Sequence, residues 1–280
     1  ESLNSEISSL RSKYSEFILA SDELLSIETQ KAEAPLRIAT TDSTFMIDGW
    51  VPTEEYDRLT NAVDHATSGR AFVSKIDITK EDEKIVPIEY NNPKISKPFE
   101  EIMDLHSRPR YYEIDPTYLI FIVFPLFYGM ILGDIGYGLI LGGIAVAIKR
   151  MVSSDIIKSF MDIAIYCQIS TLIFGVLYGE VFGFSLAGLH TEHEYVAGLI
   201  PGFETIELFA SPIGGEMITF PVHRTHLAIT LIALTALIGL IHVNLGFVIG
   251  FINQNKKHGM NAAIFEKGSW IIMEIGILIA

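Results

Sequence analysis

The sequence predicts an α-helical polytopic membrane protein with a cytoplasmic coiled coil and a small α/β lobe. Charge is unevenly distributed: residues 1–116 contain 36 of the 54 charged side chains but only 2 of the 22 glycines. Residues 117–280 contain apolar runs long enough to cross a bilayer, which takes about 20 residues. These runs exclude a purely soluble enzyme. The net charge of −14 excludes a nucleic-acid partner, and the single cysteine, Cys167, excludes a disulfide scaffold.

Residues 1–35 are predicted to form a coiled-coil arm. Apolar side chains recur at alternating spacings of four and three, with Ser21 as the gap, at Leu3, Ile7, Leu10, Tyr14, Phe17 and Leu24. This heptad pattern is typical of a helix that packs along a partner helix. An ordinary amphipathic surface helix explains the segment equally well, and the sequence leaves both alternatives open.

Residues 36–114 are predicted to form a membrane-proximal cytoplasmic lobe. Strand, helix, strand and helix follow one another, at Thr44–Val51, Thr53 to about Ala66, Ala71–Ile78, and Phe99 to about His106. The lobe carries no catalytic constellation. Asp104 near His106 indicates a surface pair rather than catalysis.

Residues 115–280 are predicted to form the transmembrane domain, so the lipid bilayer is a predicted partner. The spans cover about 118–133, 136–149, 163–185, 226–252 and 269–280. The last run is too short to cross a bilayer. We therefore expect the chain to be a fragment of a longer protein.

The positive charges between the spans predict their orientation. Lys and Arg residues lie within the segments 149–160 and 253–267, whereas the loop 187–222 has five Glu and no Lys or Arg. Positive loops tend to stay in the cytoplasm, so the first two segments are predicted inside and the third outside. Residues 1–115 are predicted to be cytoplasmic as well, since no export signal precedes them.

This orientation requires the run 118–148 to leave the cytoplasm and return to it. Three glycines in six residues, from Gly133 to Gly138, weaken a helix at that point and offer a place to turn. The sequence therefore favours a short helical hairpin with Asp134 near the outer surface. A single tilted helix is the alternative.

Three carboxylates within the apolar runs are candidates for an ion path: Asp134, Glu180 and Glu274. A charge in a membrane carries a desolvation cost, which is why such residues often mark ion pathways. The alternative is a carboxylate satisfied by backbone N–H groups near a membrane face. Glu274 is expected to lie shallow on the cytoplasmic side, close to Trp270. His242 and Asn244 are expected to form hydrogen bonds between helices.

Small residues at helical spacing predict a closely packed bundle. The glycines concerned are Gly129, Gly133, Gly136, Gly138, Gly175, Gly179 and Gly183. No catalytic residue, cofactor or metal site is predicted. His190, Glu192, His193 and Glu194 indicate a solvated loop, since no third ligand stands at a suitable spacing.

Several motifs resemble one known family. Phe124 to Met130 reads FPLFYGM and runs into GDIGYGL at Gly133 to Leu139. GWVP at Gly49, EIDPT at Glu113 and FGVLYGE at Phe174 stand at matching places. Together they resemble the membrane stator subunit of V-type and archaeal A-type rotary ATPases, called subunit a or subunit I, of the archaeal or bacterial type.

The resemblance implies a cytoplasmic domain of coiled coil and α/β lobes followed by eight membrane helices. It also implies as partners a rotating ring of small membrane subunits, the peripheral stalks and the cap of the central stalk. Family members carry an essential Arg on the penultimate or last helix. No Arg lies within a predicted span here, so this residue is expected beyond Ala280.

The predicted function is that of a non-catalytic stator subunit, which couples proton or sodium translocation past the ring to ATP synthesis or hydrolysis. Two alternatives come from other classes. One is a multi-pass secondary transporter with a cytoplasmic regulatory lobe, which predicts an internal repeat. The other is a purely structural anchor module.

Overall fold

The computed structural model describes residues 2–33, 38–41, 43–79, 81–190, 195–213 and 215–279. The chain divides into two compact units, Glu1–Ile76 and Asp77–Ala280. The apolar, glycine-rich part of the sequence falls entirely in the second unit.

The described residues of the first unit form one long helix, a two-stranded hairpin and one short helix. Helix α1 spans Ser2–Glu33. Strands β1 (Ala39–Thr40) and β2 (Phe45–Met46) pair antiparallel, and a 3-10 turn at Thr53–Glu55 precedes α2 (Tyr56–Thr67). Phe17 and Leu24 of the heptad pattern are 70% and 61% exposed. A partner helix on this face stays a prediction.

The strands predicted in this lobe are largely wrong. The strand expected over Thr44–Val51 is reduced to Phe45–Met46, and Ala71–Ile78 forms no strand. A strand is stable only when its backbone pairs with a neighbour. The described residues provide no such partner for 71–78, where the Val73 carbonyl accepts a long 3.5 Å hydrogen bond from the Tyr56 hydroxyl.

The second unit is mainly helical. Its helices are α3 (Glu100–His106), α4 (Thr117–Leu132), α5 (Ile135–Met151), α6 (Asp155–Tyr178), α7 (Ala228–His258), α8 (Met260–Ala263) and α9 (Ser269–Ile279). Short turns of 3-10 helix occur at Asp82–Lys84 and Lys97–Phe99, and a π-helical turn occurs at Ile264–Gly268. The helix predicted from Phe99 to about His106 is confirmed as α3.

Three two-stranded antiparallel hairpins connect α6 to α7. They pair β3 (Glu180–Val181) with β4 (Phe184–Ser185), β5 (Leu189–His190) with β6 (Tyr195–Val196), and β7 (Ile206–Ala210) with β8 (Met217–Phe220). These hairpins contain most of the loop 187–222, which the charge pattern predicts to lie outside the cytoplasm.

The chain reverses direction between α4 and α5, and α6 packs against both. The Tyr178 hydroxyl, at the end of α6, donates to the carbonyl of Met130 near the end of α4 at 3.3 Å. On the other side, Lys149 near the end of α5 contacts Asp162 near the start of α6. α4 therefore runs parallel to α6 and α5 runs antiparallel to it, which is the hairpin that the sequence favours.

A small aromatic core joins α4 and α6 near the start of the hairpin. Phe99 is fully buried and packs edge-on against Phe121 at a ring-centroid distance of 5.5 Å. Ile163 and Cys167 of α6 complete this core. Cys167 is thus a buried thiol, as its apolar setting predicts.

Two described helices, α6 and α7, are long and apolar enough to cross a membrane, judged by length and composition. No residue of α7 is buried within the chain. Large apolar side chains such as Ile232, Ile241 and Val248 are exposed along this helix. Contiguous exposed apolar surface is typical of contact with lipid or another protein.

Candidate functional site

Asp134 is the centre of the turn between α4 and α5 and is 2% exposed. Its Oδ1 caps α5 by accepting a hydrogen bond from the backbone N–H of Tyr137 at 2.9 Å. The same carboxylate accepts from the N–H groups of Phe182 at 3.0 Å and Gly183 at 2.7 Å. The side chain thus ties the α4–α5 turn to the β3–β4 hairpin. This arrangement is that of a carboxylate satisfied by backbone donors.

Glycine permits the close approach of α6 to this turn. A Cβ at Gly175 would lie 2.6 Å from the backbone nitrogen of Ile135 and 2.7 Å from the carbonyl carbon of Asp134. Real Cβ atoms do not come so close to backbone. Gly133 ends α4 in the left-handed conformation, with φ of 37°, which side chains with a Cβ rarely adopt.

At all but one of the predicted packing glycines, a neighbouring residue lies too close for a Cβ atom to fit. A Cβ would collide with Ser170 at Gly129, Tyr178 at Gly133, Phe182 at Gly136, Leu172 at Gly138 and Pro221 at Gly179. Gly183 has no neighbour within 4 Å of this position, and its φ of 78° explains the glycine instead.

Glu180, directly after α6, forms an ion pair with Arg224, which lies shortly before α7. Arg224 Nε donates to Glu180 Oε1 at 2.9 Å, and Nη2 contacts Oε2. The guanidinium group also donates to the Ile131 carbonyl at 3.3 Å and lies over the Tyr178 ring, 5.0 Å from its centroid. It therefore joins the ends of α4 and α6 to the segment before α7.

Sequence reasoning missed the role of Arg224. One signal was present: it is the only Lys or Arg between Lys158 and Lys256, a stretch that contains several Glu residues. A lone cation beside apolar helices needs a nearby carboxylate. Its neighbour His223 is partly buried, and this burial lowers the pKa of its imidazole, although the charge of Glu180 opposes the shift.

Glu274 pairs with Asn244 between α9 and α7. Asn244 Nδ2 donates to Glu274 Oε2 at 2.8 Å and to the Leu240 carbonyl at 2.9 Å. This confirms the interhelical hydrogen bond expected for Asn244. His242 instead packs edge-on against the Phe127 ring, at 5.4 Å between centroids.

The contact with Asn244 gives the level of Glu274 along α7; its shallow position in the membrane stays a prediction. Its partner Asn244 lies 14 residues before the end of α7 at His258, which corresponds to about 21 Å along the helix. Glu274 is thus level with the middle of α7. Helix α9 approaches α7 along its apolar stretch, and this tertiary placement is not visible in the sequence around Glu274.

The structure brings two of the three candidate carboxylates to one end of the bundle. Glu180 is the first residue of β3, and Asp134 accepts hydrogen bonds from the turn between β3 and β4. Glu274 lies apart, about 24 Å along α7 from its first residue, Ala228. In the described part of the chain no group of three His, Cys, Asp or Glu side chains is arranged to hold a metal ion. Glu192, His193 and Glu194 lie outside the described residues.

Comparisons with known proteins point to one family. The model of the V-type ATPase 116kDa subunit family matches residues 34–198. The chain is similar to the A-type ATP synthase subunit I of Halobacterium salinarum, at 30% identity over 99% of this chain and 40% of that protein. The subunit I of Archaeoglobus fulgidus is 34% identical over 93% of this chain and 37% of its own length. That of Methanocaldococcus jannaschii is 30% identical over 99% and 40%. The chain thus spans about two fifths of the length of these relatives.

Proposed function

Because the chain belongs to the V-type ATPase 116kDa subunit family, we propose that it forms part of the membrane stator of a rotary ATPase. The observation that carries the proposal is the similarity of nearly the whole chain to proteins named A-type ATP synthase subunit I. In this role the chain performs no bond chemistry. It couples the passage of protons or sodium ions to ATP synthesis or hydrolysis.

The proposed location is the cell membrane, with residues 1–115 in the cytoplasm. α4 and α5 then form a short hairpin whose turn, at Asp134, reaches the outer side. The hairpin is supported by the opposite directions in which α4 and α5 run along α6. Its orientation is supported by the absence of Lys and Arg from 187–222.

The proposed partners are the rotating ring of small membrane subunits, the peripheral-stalk subunits and the cap of the central stalk. The exposed apolar side chains of α7, which include Ile229, Ile241 and Ile252, support a membrane or protein environment for this helix. The helix α1, with its exposed apolar side chains, is the proposed site of coiled-coil pairing.

For the ion path we propose Glu180 and Glu274 as the residues of interest in this chain. Glu180 lies beside a cation, Arg224, at the proposed outer end. Glu274 lies level with the middle of α7 and has the neutral Asn244 as its hydrogen-bond donor. Asp134 shares the outer end, and its three backbone hydrogen bonds support a structural role there.

The test is reconstitution of the complete complex in vesicles with and without the full-length subunit. We expect ATP hydrolysis to drive ion uptake only when the subunit is present. Hydrolysis should continue, uncoupled, when it is absent. Ion uptake that persists without the subunit would refute the stator function. Uptake by the subunit alone, without ATP, would instead support the secondary transporter.

A further inference from the structure

A polar cleft lies where α7 ends and the chain turns towards α9. One wall is the segment 107–113, which leads towards α4, and the other consists of residues of α7 and of the turn Ile264–Gly268. The backbone N–H of Ile114 donates to Asn253 Oδ1 at 3.0 Å, so a hydrogen bond holds the two walls together.

Four cationic side chains line this cleft: Arg108, which pairs with Asp104, and Arg110, Lys257 and Lys267. Two of them meet at Tyr112. Arg110 Nη1 donates to the Tyr112 hydroxyl at 3.3 Å, and Lys257 Nζ lies 5.3 Å from the centroid of the tyrosine ring. The cleft therefore collects hydrogen-bond donors from both walls around one aromatic residue.

Each carboxylate in the cleft already has a hydrogen-bond partner, and Glu266 also lies beside one of the lining cations. Glu113 accepts a hydrogen bond from the backbone N–H of Arg110 at 2.9 Å. Glu266 accepts one from the Gln254 amide and lies 3.9 Å from Lys267. Among the described residues, no carboxylate lies within 4.0 Å of the Arg110 guanidinium or the Lys257 ammonium group. Both cations are available to an external anion.

The position of the cleft indicates the kind of anion. Lys257 lies in the last turn of α7, directly after the apolar part of this helix. Nearby, Trp270 stacks on Phe247 at 6.3 Å between ring centroids. Tryptophan is typical of the membrane–water boundary. Basic groups at the cytoplasmic boundary attract anionic lipids, and a phosphate accepts several charged hydrogen bonds at once.

We propose that this cleft binds the phosphate of an anionic phospholipid headgroup, with Arg110 and Lys257 as its principal cationic ligands. The Tyr112 hydroxyl and the Gln254 amide add polar contacts. The bound lipid would hold the segment before α4 against the end of α7. This proposal rests on the membrane location of the chain and is independent of ion translocation.

Binding is tested on the full-length subunit in detergent, titrated with short-chain phosphatidylglycerol and, separately, with short-chain phosphatidylcholine. We expect Arg110→Gln and Lys257→Gln each to weaken phosphatidylglycerol binding about tenfold, because each removes a charged hydrogen bond. Arg150→Gln is the matched control: it removes one charge at the end of α5, at the same predicted membrane face, and should leave the affinity unchanged.

A third titration with inorganic phosphate separates the lipid from the free anion. Preference for phosphatidylglycerol over both other probes, with loss in the two cleft variants alone, is the expected result. Equal affinity for phosphatidylcholine would overturn the proposal, as would inorganic phosphate binding as tightly as the lipid. If a variant fails to fold, the unmodified subunit still tests the proposal. Its preference for phosphatidylglycerol must weaken as the salt concentration is raised, because salt screens the attraction between the charges. Ion pumping by the reconstituted complex is measured separately, so failure of either proposal is distinguishable.

Discussion

The carboxylate of Asp134 accepts a hydrogen bond from the backbone N–H of Gly183 at 2.7 Å, across 49 positions of the chain. The same side chain caps α5 through Tyr137. One residue therefore stabilises the start of a helix and fixes the loop that follows another helix. The α4–α5 turn and the β3–β4 hairpin form one structural unit because of it.

We expect Asp134→Asn to destabilise the full-length subunit. The replacement converts one acceptor oxygen into an NH2 group, which then faces a backbone N–H donor. Leaving a buried donor unsatisfied costs about 1–3 kcal/mol, and thermal unfolding in detergent measures the loss. Asp155→Asn is the control, since Asp155 is an exposed partner of Lys158. Equal melting temperatures for the two variants would contradict a stabilising role for the hydrogen bonds of Asp134.

Gly175→Ala should disrupt the packing of α6 against the α4–α5 turn. The new methyl group would meet backbone atoms of Asp134 and Ile135, which cannot rotate away as a side chain can. We expect a large fall in the yield of monodisperse protein on size-exclusion chromatography. Gly143→Ala provides the comparison, because its Cβ position has no neighbour within 4 Å. If both alanine variants elute like the unmodified subunit, the close approach is not required.

The ion pair between Glu180 and Arg224 should show energetic coupling in a double-mutant cycle with Glu180→Gln and Arg224→Gln. Each single variant leaves a partly buried charge without its partner, so the double variant should lose less stability than the two single losses added together. We expect a coupling of about 1 kcal/mol or more. The exposed pair Lys158–Asp155 should give about 0–0.5 kcal/mol in the same cycle. Additive losses at Glu180 and Arg224 would show that the two charges act independently.

His223 should make the stability of the subunit depend on pH. Burial lowers the pKa of His223 in the folded state, whereas the unfolded chain takes up a proton near the ordinary value of about 6.5. The unfolded state therefore binds more protons in this range, and the free energy of unfolding falls as the pH drops below about 6.5. His223→Gln should flatten this decline when melting is followed from neutral to mildly acidic pH. His65→Gln, at an exposed position, is the control and should leave the decline in stability in place. An unchanged pH dependence in His223→Gln would show that His223 does not cause the decline.

Patterns confined to neighbouring residues predicted the second unit well. The break at Gly133 followed from clustered glycines and from the positions of Lys and Arg on either side of the run. Close packing of α6 followed from small residues one helical turn apart, such as Gly175 and Gly179. These features depend on local composition or on helical periodicity, both of which are visible along the chain.

Features that depend on distant partners were not predictable in the same way. The segment Ala71–Ile78 has strand-forming residues, but the described part of the chain offers it no strand to pair with. Without such a partner a strand does not form. Glu180 and Arg224 meet only because the hairpins between α6 and α7 bring the chain back over 44 positions. The level of Glu274 along α7 is set by how α9 packs on α7, which the local sequence of α9 does not specify.

If the chain is part of a membrane stator, as we propose, α4 and α5 form a complete out-and-back hairpin across the membrane. The most direct test of this hairpin is the labelling of single cysteines in intact cells with a membrane-impermeant maleimide. The substitutions are Glu207→Cys in the loop between α6 and α7, Ser153→Cys between α5 and α6, and Ser107→Cys before α4, all at exposed positions and on a Cys167→Ala background. The account predicts that Glu207→Cys reacts in intact cells, whereas Ser153→Cys and Ser107→Cys react only after permeabilisation. Labelling of Ser153→Cys in intact cells, with Ser107→Cys protected, would mean a single crossing and would contradict the account.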